Sequence, residues 1–162
     1  MDVTFDMEVS SQPTQFRDRV RGAMLGSWIG DALAMPAHWY YNRESLRRDY
    51  GRITDYQAPK RPHPDSILWR SRWEAPNREL DILGDQRPFW GQQGVHYHQH
   101  LQAGENTLTI KLAGLVWRML LDLGEYDAKA YLQRYVDYLT NPQRHRDTYV
   151  EECHRGFFTN LG

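Results

Sequence analysis

"RGAMLGSWIGDALAMPAHW", residues 21–39, is an apolar, glycine-spaced pattern that runs straight into an aspartate and then a proline. Its periodicity starts earlier. Thr14, just after Pro13, is placed to act as an N-cap, and Phe16, Val20, Met24 and then Ser27 or Trp28 recur at helical spacing. Arg17, Arg19 and Arg21 occupy other faces. The pattern predicts an amphipathic helix that ends near Met35-Pro36. Gly22, Gly26 and Gly30 recur every four residues inside it, each costing up to ~1 kcal/mol relative to alanine in a helix interior, so their face is expected to receive another backbone closely. Tight helix packing and the admission of a ligand both fit that spacing.

Working outward, the chain has 162 residues, 40% of them hydrophobic, with a formal net charge of -1. That suffices for one globular unit with a core of ordinary size. With 20 basic against 21 acidic side chains, no global field exists to attract nucleic acid or anionic lipid. Cys153 is the single cysteine and has no internal partner, which points to an intracellular setting. "MDVTFDMEVSSQP" is acidic and lacks an apolar run of signal-peptide length, and no later stretch approaches the ~18 consecutive apolar residues of a membrane helix. The expectation is a cytoplasmic protein with a loose tail at 1–13 and a helical domain at 14–162.

Residues 51–104 carry Pro59, Pro62, Pro64, Pro76 and Pro88 with glycines at 51, 84, 91 and 94, which break any long periodicity. Connections of this length are uncommon unless functional or disordered, and Trp69, Trp73 and Trp90 argue against disorder. Short helices are expected at about 66–73 and 85–90. Leu108, Leu112, Leu115, Val116, Met119 and Leu123 then form a broad apolar stripe closed by Gly124. A further helix is predicted over 127–139, stopped by Asn141-Pro142, and a last one from Asp147 carrying Val150, His154 and Phe157 or Phe158. No alternation is long enough for a sheet, so the fold class is all-α.

"RGAMLGSWIGDALAMPAHW" resembles the opening helix of the ADP-ribosylglycohydrolase family, whose pattern is a glycine-spaced helix entering Gly-Asp-Ala-Leu-Gly. "AGENTLTIKLAGLV", residues 103–116, falls where that family has Thr-Asp-Asp-Thr at the start of its next core helix. "ALAMPAHWYY" and "GENTL" look closest to its J1-crystallin-like branch. The resemblance implies a multi-helix domain that hydrolyses the glycosidic link between ADP-ribose and a protein side chain or small acceptor. It also implies divalent cations, magnesium or manganese, held by hard oxygen donors. On that reading Glu105, Asn106 and Thr107 are the metal ligands, with one formal charge where the pattern has two, so weak affinity is expected. The family's remaining ligands, an Asp-x-Asp-Thr cluster, have no counterpart here. The chain is therefore expected to be an N-terminal part, completed by a C-terminal half or by a homo-oligomer, and to expose apolar patches.

Asp31 and His38 are the catalytic candidates. His38 stands where many members have glutamate; it can act as a general base near neutral pH or merely donate to a carbonyl. Asp31, near a helix end, can equally serve backbone groups. "HYHQH", residues 96–100, places His96 and His100 four apart or puts His96, His98 and His100 on one strand face. Lacking an acidic or cysteine partner, these three are expected to line the pocket as substrate-binding donors. ADP-ribose binding should then strengthen below pH ~6.5, where unperturbed imidazoles charge. The tryptophans of "WRSRW" and "PFWG" either stack on an adenine or pack under the long loop. Two functions remain: a metal-assisted hydrolase, or a non-catalytic, crystallin-like binding or structural protein.

Overall fold

The chain is described by a computed structural model over residues 12–162, and the expected tail at 1–13 lies outside it except for Gln12 and Pro13. Five α-helices are present among the described residues: α1 Gln12–Ala34, α2 Arg43–Tyr50, α3 Leu108–Leu123, α4 Ala128–Thr140 and α5 Glu152–Leu161. No strand occurs among them, so the all-α class holds.

The end expected for α3 at Gly124 is found, and α4 starts on a cap that the sequence reading did not assign. Gly124 closes α3 in the left-handed region at φ 80°, its N–H donating to the Leu120 carbonyl, a conformation open to glycine without strain. Asp127 caps α4, accepting from the Lys129 and Ala130 amides. The stripe of α3 packs on α4 as its spacing requires. Leu108, Leu112, Tyr135 and Leu139 join Ile82, Leu83, Val150 and Phe158 in the main core. Burying each such side chain contributes about 1.5–3 kcal/mol.

Several expectations need correction. Helix α1 has already begun by Gln12, so Thr14 is a first-turn residue, not the cap; proline at the adjacent position is tolerated because a first-turn N–H has no intrahelical acceptor. The final helix starts at Glu152 instead of Asp147. Asp147 is fully buried and directs its carboxylate at α3, and the Tyr149 amide donates to the Tyr97 carbonyl, so this segment packs as irregular chain. The short helix expected at 66–73 shrinks to a 3-10 turn at Leu68–Arg70, and that at 85–90 becomes a 3-10 stretch at Gly84–Phe89. Helix α2 carries too few apolar residues to show in periodicity. It rests on Asn42, whose side chain accepts from the Glu44 and Ser45 amides.

The long connection is pinned by its tryptophans, which favours packing over adenine stacking for two of them. The Trp90 indole donates to the Thr148 carbonyl at 2.7 Å and the Trp73 indole to the Thr159 hydroxyl at 3.0 Å. Glycines 22, 26 and 30 behave otherwise than expected. No heavy atom lies within 4 Å of where a Cβ would sit on any of them, and Phe16, Val20, Leu25, Trp28 and Ile29 are exposed. In this chain the glycine face of α1 receives no backbone from the described residues.

Candidate active site

The end of α1 and the start of α3 meet at Asp31. Its Oδ2 accepts from the Thr107 amide at 2.7 Å and from the Asn106 side-chain amide at 3.0 Å, and its Oδ1 accepts from the Thr107 hydroxyl at 2.7 Å. Asn106 also donates to the Trp28 carbonyl at 2.7 Å. One carboxylate thus joins two helices and accepts from the α3 N-cap residue, where a helix leaves its N–H groups unpaired and favours negative charge. Glu105 is not brought to this point. Both its oxygens lie 3.0 Å from Arg146 Nη2, and it also accepts from the Gln102 amide.

A 3-10 turn at Met35–Ala37 follows α1 and reverses the chain. It aims His38 and Trp39 back toward α3. Trp39 sits at φ 66°, in the left-handed region that costs a non-glycine residue of order 1–3 kcal/mol, and its ring stacks on Tyr97 with centroids 4.9 Å apart. The stacking holds what the backbone alone would not. The resulting cavity, about 320 Å³, is lined by Asp31, His38, Trp39, His98, Thr107, Thr109 and Glu151.

The three histidines of "HYHQH" are separated by the fold. The segment is a run of turns, neither helix nor strand. His98 lines the cavity, and its Nε2 lies 3.0 Å from His38 Nδ1. His96 is fully buried behind it: its Nε2 donates to the Pro36 carbonyl and its Nδ1 accepts from the His98 amide, both at 3.0 Å, so it orients the turn and does not line the cavity. His100 lines a different cavity, beside Asp81, His145 and Arg146.

Burial dominates the electrostatics. It lowers His38 against the opposing pull of Asp31 and Glu151, lowers His96 to about 4, and lowers His98 to about 2 with help from its histidine neighbours and Lys111. The imidazoles around the cavity are neutral near pH 7. Burial displaces their charging below the ordinary imidazole range, to more acid pH than the expected strengthening of ADP-ribose binding assumes.

Glu151 escaped the sequence reading. It belongs to no motif and reaches the cavity from the irregular segment 145–151 that leads into α5. One of its oxygens accepts from Thr109 at 3.2 Å, and the other is buried with no hydrogen-bond partner among the described residues. The cavity therefore has two carboxylates, Asp31 and Glu151, and Glu105, expected as a metal ligand, is not among its lining residues.

Tested as a seat for divalent cations, these residues fit poorly. Hard cations need several free oxygen donors in near-octahedral array. Asp31 already accepts from three donors, Thr107 points its hydroxyl hydrogen at Asp31, and Asn106 presents its NH2. Among the described residues no group of three or more His, Cys, Asp or Glu side chains is placed to hold a metal. No helix among them is long and apolar enough to cross a membrane.

Comparison with curated proteins and with solved structures returned no match. Comparison with protein families did: the ADP-ribosylglycohydrolase family model matches residues 12–162, which include all five helices and every residue of the cavity. With the match spanning nearly the whole chain and the Asp31–Thr107 junction falling where both motifs meet, the chain belongs to the ADP-ribosylglycohydrolase family.

Proposed function

We propose that the cavity between α1 and α3 binds ADP-ribose and hydrolyses its glycosidic link to a protein side chain or small acceptor. The observation that carries this reading is the convergence of Asp31, Glu151 and a neutral His38 on one cavity of about 320 Å³. Cleavage at an anomeric carbon passes through a transition state with positive charge on the sugar ring, and paired carboxylates are the usual means of stabilising it while protons move. Asp31 is anchored to both helices, so it presents fixed negative charge to that carbon without moving. Glu151 exchanges a proton with the leaving group through Oε1, the oxygen beside Thr109, while its Oε2 is buried 3.6 Å from His154 Nε2. His38, kept neutral by burial, takes the proton from the attacking water; a positioned base typically contributes 10²–10⁴-fold. No step is assigned to magnesium or manganese, because the donors do not fit them as arranged. Thr109 and Trp39 flank the carboxylates and are suited to a ribose hydroxyl and a sugar or base face.

The second reading, a non-catalytic J1-crystallin-like or ADP-ribose-binding protein, is favoured by one observation: all three donors at Asp31 come from the protein itself, so its carboxylate already has a structural task. A release assay on ADP-ribosylated arginine and serine peptides separates the two. Hydrolase function predicts release that drops at least about 100-fold in Glu151→Gln and in His38→Gln. Binding of ADP-ribose with no release from either peptide supports the non-catalytic protein.

A further inference from the structure

Asp147 has no part in the scheme above, yet it is fully buried in a place where charge is hard to keep. Its environment explains how. Oδ1 accepts from the Leu108 amide at 3.0 Å and Oδ2 from Lys111 Nζ at 2.8 Å. Burial still raises the carboxyl to about 6, so it is mostly ionised at neutral pH. His98 stands on its open side, with Nδ1 3.8 Å from Oδ1, beyond hydrogen-bond reach but within that of a charge. Among the described residues His98 Nδ1 has no hydrogen-bond partner, and its Nε2 is the atom 3.0 Å from His38 Nδ1. The order is a buried carboxylate, a buried imidazole, and an imidazole at the cavity.

We infer that Asp147 and His98 form a relay that fixes the tautomer of His38, holding its proton on Nδ1 and leaving Nε2 as a bare base toward the cavity. The bonding follows from exclusion. A lone pair on His98 Nδ1 would face a carboxylate, so the proton sits there and is attracted to the charge. A neutral imidazole has one N–H, so His98 Nε2 carries the lone pair. Of the two nitrogens that meet at 3.0 Å, His38 Nδ1 must then be the donor. Its own proton is thereby assigned, and Nε2, on the far edge of the ring, is the acceptor. The opposite order would leave His38 a donor toward the cavity, unable to take a proton from water. His96 keeps the relay in register, because its Nε2 can only donate to the Pro36 carbonyl and its Nδ1 then accepts the His98 amide. Asp147 and His98 are positioning residues. The catalytic significance of the relay rests on the hydrolase reading; the tautomer itself does not.

The test is nitrogen-15 NMR of the histidine side chains at pH 7.5, where long-range correlations separate a protonated ring nitrogen from a bare one, with His38→Gln to assign the His38 signals. The parent chain is expected to show His38 with Nδ1 protonated and Nε2 bare. His98→Leu removes the acceptor, and His38 should shift toward protonation at Nε2; His98→Gln keeps an acceptor oxygen and should restore the parental pattern. Asp147→Asn, which retains the Leu108 contact, should leave both rings as tautomer mixtures and serves if His98→Leu does not fold. A parental His38 protonated at Nε2, or parental tautomers unchanged in His98→Leu or in Asp147→Asn, overturns the relay. None of these readouts needs substrate, so a chain that fails to release ADP-ribose defeats the hydrolase reading and leaves the relay standing or falling by its own signals.

Discussion

At the scale of single residues, the buried histidines link protonation to folding. The unfolded chain takes up protons on histidine as pH falls through about 6.5, whereas the folded chain holds His96 neutral down to about 4. His38, His63 and His98 are displaced in the same direction. Stability from these groups is thus fully present above pH 6.5 and is lost as pH drops from there toward 4. For His96 alone the displacement corresponds to roughly 3 kcal/mol. Asp147 opposes it, because burial raises its carboxyl to about 6 and the folded chain takes up that proton first on acidification. Four histidines outweigh one aspartate, so the melting temperature should fall between pH 7 and pH 5, and His96→Gln, which can still donate to Pro36, should flatten the slope. A melting temperature independent of pH, or an equal slope in the variant, would show that burial does not govern these rings. Histidine and aspartate types were legible in the sequence, and Asp31 and His38 do share a cavity. Their partners were not legible: His98 meets His38 across 60 positions, and Glu151 and Asp147 lie in an irregular segment with no period to mark it.

Between elements, the junction of α1 with α3 depends on Asp31. Replacing it with alanine leaves the Thr107 amide and hydroxyl and the Asn106 amide without their acceptor, and a part-buried unsatisfied donor costs about 1–3 kcal/mol. Asp31→Ala should therefore lower stability by about 2–3 kcal/mol in chemical denaturation, and Glu105→Ala, whose partner is an exposed arginine, by under about 1 kcal/mol. Equal losses would remove Asp31 from its structural role. The open glycine face of α1 gives an opposite prediction: with no atom within 4 Å of a Cβ at Gly26, Gly26→Ala should raise stability by up to ~1 kcal/mol, and a loss of that size would mean that the face is packed in solution. Helices α3 and α4 were readable because burial on one side imposes a period and Gly124 and Asp127 end or start them. Helix α2 was missed because it buries only Ser45 and Tyr50 and stands on an asparagine cap. The glycine spacing was read correctly as unusual, but its stated consequence, a close backbone, depends on a partner that the sequence pattern does not locate.

For the molecule as a whole, α1 exposes apolar side chains on two faces: Phe16 and Val20 lie beside Leu121 of α3, and Leu25 and Ile29 lie about half a turn away on the opposite face. Apolar surface of this kind rarely stays open in water. Association of the chain is expected at micromolar concentration in sedimentation experiments, and Val20→Asp or Ile29→Asp should weaken it; a strict monomer with a sharp melt would show that the exposed apolar side chains are tolerated. The family was legible from two short segments because both fall at one junction, where the Asp31 carboxylate and the Thr107 cap meet. The metal was expected by resemblance and is the part the geometry supports least: Glu105 faces Arg146, so any stabilisation of the parent by magnesium should be matched in Glu105→Ala. The cavity is the central claim, and a calorimetric titration of ADP-ribose into the parent chain at pH 7.5 and pH 5.5, with and without magnesium, tests it most directly. The predicted result is binding at both pH values, since His98, lowered to about 2, stays neutral at both and burial lowers His38 as well; absence of binding under all four conditions would contradict it.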